Sequence, residues 1–130
     1  MNVEDLKRIT QQSKQEKWSF PRTFQALVEA GVTSYRTEVA NHRTTYSGNG
    51  VDYVEEILPS FTRVEVSTIF HKDAVKYALE HHQKFNTPYE NFLKDIASAG
   101  VSYYLVDMAN RVITYTSGKA DETYIQSIPK

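Results

Sequence analysis

The sequence of 130 residues contains no cysteine. Disulfides, zinc sites built on thiolates and thiol nucleophiles are therefore excluded, and the composition is typical of a reducing compartment. Four histidines are present, but the adjacent His81 and His82 would point about 100° apart on a helix and could not share a metal ion. We therefore predict a cytoplasmic protein with no metal ligands and no cofactor.

An excess of charge of either sign is also missing. Fifteen basic and sixteen acidic residues give a net charge of -1 at pH 7, so we expect no nucleic-acid partner. The sequence has no apolar run of membrane-spanning length, and its first residues lack the basic and then apolar layout of a signal peptide. We expect a soluble protein with no membrane partner.

What the sequence does contain is an internal repeat. Residues 30–46 and 99–115 match at an offset of 69 positions with eight identities. The identical pairs are Ala30/Ala99, Gly31/Gly100, Val32/Val101, Tyr35/Tyr104, Ala40/Ala109, Asn41/Asn110, Thr45/Thr114 and Tyr46/Tyr115. Self-similarity at one offset indicates two copies of one structural unit.

Each copy begins with a helix signal. In the first, Ser19 can cap a helix that has Pro21 in its first turn, and Gly31 can end it in a left-handed conformation. In the second, Thr87 begins a predicted capping box with Pro88 at the first helical position, and Gly100 ends the helix. A short amphipathic helix is also predicted over residues 3–13.

A β-hairpin follows each glycine, with Ala-Asn at its turn. Because alanine resists positive φ, we predict a three-residue loop in which only Asn41 and Asn110 are left-handed. This register opposes Glu38 to His42 and Asp107 to Arg111, so that each acid faces a basic side chain able to carry positive charge.

The predicted register gives the first hairpin one polar face. It comprises Ser34, Arg36, Glu38, His42, Thr44 and Tyr46, whereas the matching face of the second hairpin, with Tyr103, Leu105, Ile113 and Tyr115, is apolar. We therefore name a candidate site for a ligand or partner, with no catalytic residues assigned; its members are Arg36, Glu38, His42, Thr44 and Tyr46. The alternative is that this face simply meets water.

These elements predict an α+β fold in a single domain over residues 1–130. Two α-β-β-β units related by a pseudo-twofold axis lie at about 19–58 and 87–128, and their helices pack on antiparallel sheet. A strand and a helix at about 61–85 bridge the two units.

Several ordered blocks carry a resemblance to a known family. They are Ser19-Phe20-Pro21, Ala30-Gly31-Val32, Arg43-Thr44-Thr45-Tyr46, Phe92-Leu93, Ala99-Gly100-Val101 and Tyr104-Leu105-Val106-Asp107. The sequence resembles, over nearly its whole length, a family of short bacterial proteins of unknown function, some of them labelled phage envelope proteins. The resemblance implies no activity and no catalytic residues.

The leading functional hypothesis is a small soluble binding or protein-interaction module. It would act on a small molecule or a protein, as a monomer or homodimer. One alternative is an enzyme that uses polar groups of the first hairpin, such as Glu38 and His42. A second alternative is a structural component derived from a prophage.

Overall fold

A computed structural model describes residues 1–55, 63–85 and 87–128. Its helices are α1 (Val3–Gln15), α2 (Phe20–Glu29), α3 (Lys72–Phe85) and α4 (Tyr89–Ser98). Its strands are β1 (Ser34–Glu38), β2 (Thr44–Gly48), β3 (Val51–Glu55), β4 (Tyr103–Asp107), β5 (Val112–Thr116) and β6 (Thr123–Ser127). Across these described ranges, no helix combines the length and the apolar character needed to cross a membrane.

The six strands form one antiparallel sheet in the order β3-β2-β1-β4-β5-β6. Each unit contributes three consecutive strands, and the two units meet where β1 pairs with β4. At the middle of that pairing Arg36 faces Leu105, its own counterpart 69 positions later. The pseudo-twofold axis therefore passes between these two residues, and the predicted α+β class with two repeated units is confirmed.

The helix ends follow most of the sequence signals. The Ser19 side chain accepts a hydrogen bond from the Arg22 N–H, and Gly31 and Gly100 have φ of 93° and 91°. The predicted capping box at Thr87 is wrong. Pro88 is the N-cap of α4 and the Thr87 hydroxyl instead bonds His82 Nδ1 at 2.7 Å.

The helix between the units has a counterpart that the sequence reading did not assign. Helix α1 begins at Val3 and α3 begins at Lys72, again 69 positions apart. Just before them, the N–H of Asn2 donates to Ala30 at 3.0 Å and the N–H of His71 donates to Ala99 at 2.9 Å. The repeated pattern is therefore helix, helix, strand, strand, strand.

The predicted bridging strand does not form over residues 63–68. The N–H of Val64 donates to the Ala40 carbonyl and that of Ser67 to the Ala97 carbonyl, both at 2.9 Å, so the segment bonds a loop and a helix end. Residues 61–62 of that prediction, and residues 56–58 of the predicted third strand, lie outside the described residues.

Both hairpin loops are one residue longer than predicted. The left-handed residues are His42 and Arg111, with φ of 57° and 54°, rather than Asn41 and Asn110. Each loop begins with a buried residue, Val39 or Met108. Their N–H groups donate to the Ser102 and Thr33 carbonyls and so continue the β1–β4 pairing. The residue added to each loop is the left-handed His42 or Arg111.

This one-residue difference reverses the faces of β2 and β5. Glu38 therefore lies opposite Arg43, and Asp107 opposite Val112, so both predicted cross-strand pairs are wrong. The four helices and the core lie on one face of the sheet, which carries Tyr35, Thr37, Thr44, Tyr46, Tyr104, Val106, Ile113 and Tyr115. The opposite face, here called the open face, carries Arg36, Glu38, Thr45, Tyr103, Leu105 and Thr114.

Candidate functional site

A cavity of about 780 Å³ lies between the helices and the covered face of the sheet. Residues from all four helices and all six strands line it, so it spans both units. Pockets that bind small molecules typically measure about 300–1,000 Å³. The cavity therefore has the size of a binding site for a small molecule.

Two symmetry-related tyrosine pairs form the floor of the cavity. The rings of Tyr35 and Tyr46 lie 5.4 Å apart, and those of Tyr104 and Tyr115 lie 5.6 Å apart. Burial is the largest cause of a raised pKa at each of these four tyrosines. Their hydroxyls consequently stay protonated at neutral pH and are available as hydrogen-bond donors and acceptors.

Four hydroxyls, three on the sheet and one on helix α4, lie next to one another in the cavity. The hydroxyls of Tyr89 and Tyr104 are 2.6 Å apart, and those of Thr37 and Thr44 are 3.0 Å apart. Thr37 lies directly opposite Tyr104 in the β1–β4 pairing, and a side-chain hydrogen bond from Thr37 opposes the burial that raises the pKa of Tyr104. We call these four groups (Tyr89, Tyr104, Thr37 and Thr44) the hydroxyl line.

The two units line the cavity with different chemistry. Three threonines of the first unit have apolar counterparts 69 positions later, and all six residues line the cavity: Thr10/Leu79, Thr23/Phe92 and Thr44/Ile113. Thr37 likewise corresponds to Val106. We call the part of the cavity beside these four threonines the polar half, and the part lined by Leu79, Phe92 and Ile113 the apolar half.

The polar half also holds an ion pair. Lys14 Nζ lies 3.0 Å from Glu55 Oε1, and the Glu55 side chain is 19% exposed. At the equivalent places the second unit has Gln83, by the repeat offset, and Gln126, which faces Ile113 as Glu55 faces Thr44. Because the cation and anion contact each other, they contribute no net charge to the cavity.

Two histidines also line the cavity. His42 packs against the Tyr89 ring at 5.0 Å, and burial, followed by the charge of Lys14, lowers its pKa, although Glu55 opposes this. His82 stacks on Phe92 at 4.6 Å, and its pKa is also lowered, mainly by burial. Both imidazoles are therefore neutral at neutral pH.

The structure divides the candidate residues named from the sequence. His42, Thr44 and Tyr46 line the cavity. Arg36 and Glu38 lie on the open face, where the Arg36 guanidinium sits 3.7 Å above the centre of the Tyr103 ring. The five residues therefore do not form one surface.

Sequence reasoning missed other residues that line the cavity, including Tyr35, Thr37, Tyr89 and Tyr104. The signal for two of them was present, since Tyr35 and Tyr104 are identical in the repeat. Their location depended on loop length, which decides the face to which each strand residue belongs. For metals, residues 1–55, 63–85 and 87–128 contain no cluster of three or more His, Cys, Asp or Glu able to hold an ion.

Comparison with protein families matches residues 7–127 to the family described as protein of unknown function (DUF1398). The chain belongs to this family. The family has no established function, so membership supports no specific activity and favours none of the alternatives. No curated protein matches the sequence. The bacterial source and the phage envelope label remain expectations from the resemblance.

Proposed function

We propose that this DUF1398 protein binds a small molecule in the cavity between its helices and its sheet. The observation that carries the proposal is the difference between the two halves of a cavity of about 780 Å³. Protein interiors normally leave few voids larger than a water molecule. A large cavity with a polar side, an apolar side and several convergent hydroxyls has the features of a ligand site.

The geometry gives less support to an enzyme based on the first hairpin. That hypothesis grouped Glu38 with His42, but Glu38 lies on the open face and His42 lines the cavity. A cytoplasmic location, the absence of nucleic-acid and membrane partners, and a monomeric or homodimeric state remain predictions. A prophage-derived structural role also remains a prediction.

The proposal is tested with a variant that fills the cavity. Thr10→Leu/Thr23→Phe places in the polar half the side chains that Leu79 and Phe92 already supply in the apolar half. The full chain is incubated with the low-molecular-weight filtrate of a cell extract, and bound molecules are detected by native mass spectrometry. We expect a bound small molecule in the unaltered protein and its loss in the filled variant.

The matched control is Arg36→Leu, which also gives a first-unit position the residue of its counterpart, Leu105. This change lies on the open face and should leave binding intact. An equal signal in the unaltered and filled proteins would place the bound molecule outside the cavity. No bound molecule in any of the three proteins would contradict the proposed function.

A further inference from the structure

The chemistry of the lining narrows the class of ligand, on the assumption that the proposed function is correct. We propose that the ligand is an uncharged molecule with an apolar body and a hydrogen-bond acceptor such as a carbonyl oxygen. Its acceptor meets the hydroxyl line, and its apolar body packs against Leu79, Phe92 and Ile113 of the apolar half.

The first argument concerns charge. The titratable groups that line the cavity are Lys14, Glu55, His42, His82, Tyr35, Tyr46, Tyr89, Tyr104 and Tyr115. Lys14 and Glu55 contact each other at 3.0 Å, and the histidines and tyrosines are neutral at neutral pH. A charged ligand would have to compete with one member of the ion pair for the other and would lose its own hydration. An uncharged ligand avoids both costs.

The second argument concerns the hydroxyl line. Its four hydroxyls carry four donor hydrogens, whereas the contacts that join them, Tyr89 to Tyr104, Tyr104 to Thr37 and Thr37 to Thr44, number three. One donor hydrogen therefore remains within the line, and all four residues line the cavity. An acceptor oxygen on the ligand suits that donor.

The third argument concerns the opposite wall. Leu79, Phe92 and Ile113 are 4%, 6% and 8% exposed, and each lines the cavity with hydrocarbon where the first unit has a threonine. Apolar surface buried there contributes to binding roughly in proportion to its area. These three hydrocarbon side chains offer no partner to a polar substituent, whereas the hydroxyl line does, and this difference determines the ligand's orientation.

Fluorescence titration of the full chain with three naphthalene probes tests this inference. Prodan is uncharged and carries a ketone, dimethylaminonaphthalene is the same ring system without the acyl group, and ANS (anilinonaphthalene sulfonate) is an anion. Prodan emission also shifts to longer wavelength when its carbonyl accepts a hydrogen bond. We expect prodan to bind most tightly, and its emission in the cavity to report a hydrogen bond.

Removing one hydroxyl of the hydroxyl line should weaken the binding of prodan but not that of dimethylaminonaphthalene. Thr37→Val introduces the residue of its counterpart Val106, and Tyr89→Phe removes an end hydroxyl of a residue that is 39% exposed. Loss of one neutral hydrogen bond corresponds to about a two- to tenfold increase in Kd. Binding of dimethylaminonaphthalene should stay unchanged. The controls Thr45→Val and Tyr103→Phe make the same chemical changes on the open face, and urea unfolding confirms that each variant is folded.

The outcomes separate this inference from the proposed function. Tight binding of ANS, or equal effects of Thr37→Val and Tyr89→Phe on prodan and on the probe without a ketone, would overturn the ligand class while leaving the cavity a binding site. If the Thr10→Leu/Thr23→Phe variant bound all three probes as the unaltered protein does, or if none of them bound, the cavity itself would be rejected as the site.

Discussion

The two halves of the sheet are alike in backbone and different in what they present to the cavity. Both have the same strand order, the same four-residue loop and the same pair of packed tyrosines. Residues that the backbone requires, such as Gly31 and Gly100, are identical in the two units. Apart from the tyrosine pairs, residues that face the cavity differ, since Thr44 corresponds to Ile113 and Glu55 to Gln126.

The comparison separates positions that maintain the fold from positions that give the cavity its chemistry. If the four threonines only filled space, apolar residues would serve equally well, as they do at the corresponding positions of the second unit. A buried threonine hydroxyl needs a partner, which Thr37 and Thr44 provide for each other at 3.0 Å. The polar half therefore maintains a hydrogen-bonded arrangement that the fold alone does not require.

The largest expected effect tests the positions that the units share. Gly31→Ala should lower the free energy of unfolding by about 1–2 kcal/mol, the cost of a left-handed alanine. Gly100→Ala should lower it by about 3 kcal/mol or more, since the added Cβ would also meet backbone atoms of Ile69 and Phe70. In the first unit the nearest atom to the added Cβ is the Met1 Cα at 3.0 Å, which is less crowded than the 2.7 Å to the Phe70 Cα in the second unit. Urea unfolding measures both free energies. Equal decreases for the two variants would contradict the prediction, because they would show that the backbone near Ile69 moves away from the added Cβ at no energetic cost.

The second prediction exchanges side chains across the pseudo-twofold axis. Ile113→Thr should destabilise the protein by about 2 kcal/mol, because it removes buried hydrocarbon from the apolar half and adds a buried hydroxyl. Thr44→Val should cost at most about 1 kcal/mol, since it keeps the side-chain volume and removes one hydrogen bond. Thermal or urea unfolding of the two variants provides the test. A larger loss of unfolding free energy for Thr44→Val than for Ile113→Thr would contradict the account, in which Ile113 contributes to stability and Thr44 to ligand specificity.

The third prediction concerns the ion pair of the polar half. Glu55→Gln supplies the residue found at the equivalent position, Gln126, and leaves the Lys14 ammonium without its anion. Binding of the anionic probe ANS should therefore increase, while stability should change by less than about 1 kcal/mol because Lys14 is largely exposed. The matched control Lys14→Gln/Glu55→Gln removes both charges, and ANS binding should return to its original value. An increase that persists in the double variant would show that charge at Lys14 is not its cause.

The smallest expected effect is a dependence of stability on pH. The folded-state pKa of His42 is lowered, first by burial and then by Lys14, so the unfolded chain takes up a proton more readily. Stability should thus be complete above the unfolded value of about 6.5 and should fall as the pH decreases below it. His82 contributes in the same direction. His42→Asn places at this position a residue that tolerates positive φ, and it should reduce the loss of stability at low pH. The control His71→Asn, at an exposed position, should leave that loss unchanged. Urea midpoints at neutral pH and at about pH 5 would measure this, and identical losses in all three proteins would contradict it.

Much of the fold could be predicted from sequence. Helix caps and terminal glycines are local signals, and the repeat is found by comparing the sequence with itself. Ser19, Gly31 and Gly100 behave as predicted. The cavity could not be predicted, because the φ preferences of alanine and asparagine indicated a three-residue loop. The loops have four residues, with positive φ at His42 and Arg111. That one-residue difference moved Thr44 and Tyr46 from the side of Arg36 to the cavity, and it separated the candidate residues between two faces.

The most direct test of the asymmetric cavity is a crystal structure of the full chain with prodan. We predict the naphthalene ring against Leu79, Phe92 and Ile113, and the ketone oxygen within hydrogen-bonding distance of one hydroxyl of the hydroxyl line. Prodan bound on the open face, or bound in the cavity with its ketone directed at the apolar half, would contradict the account.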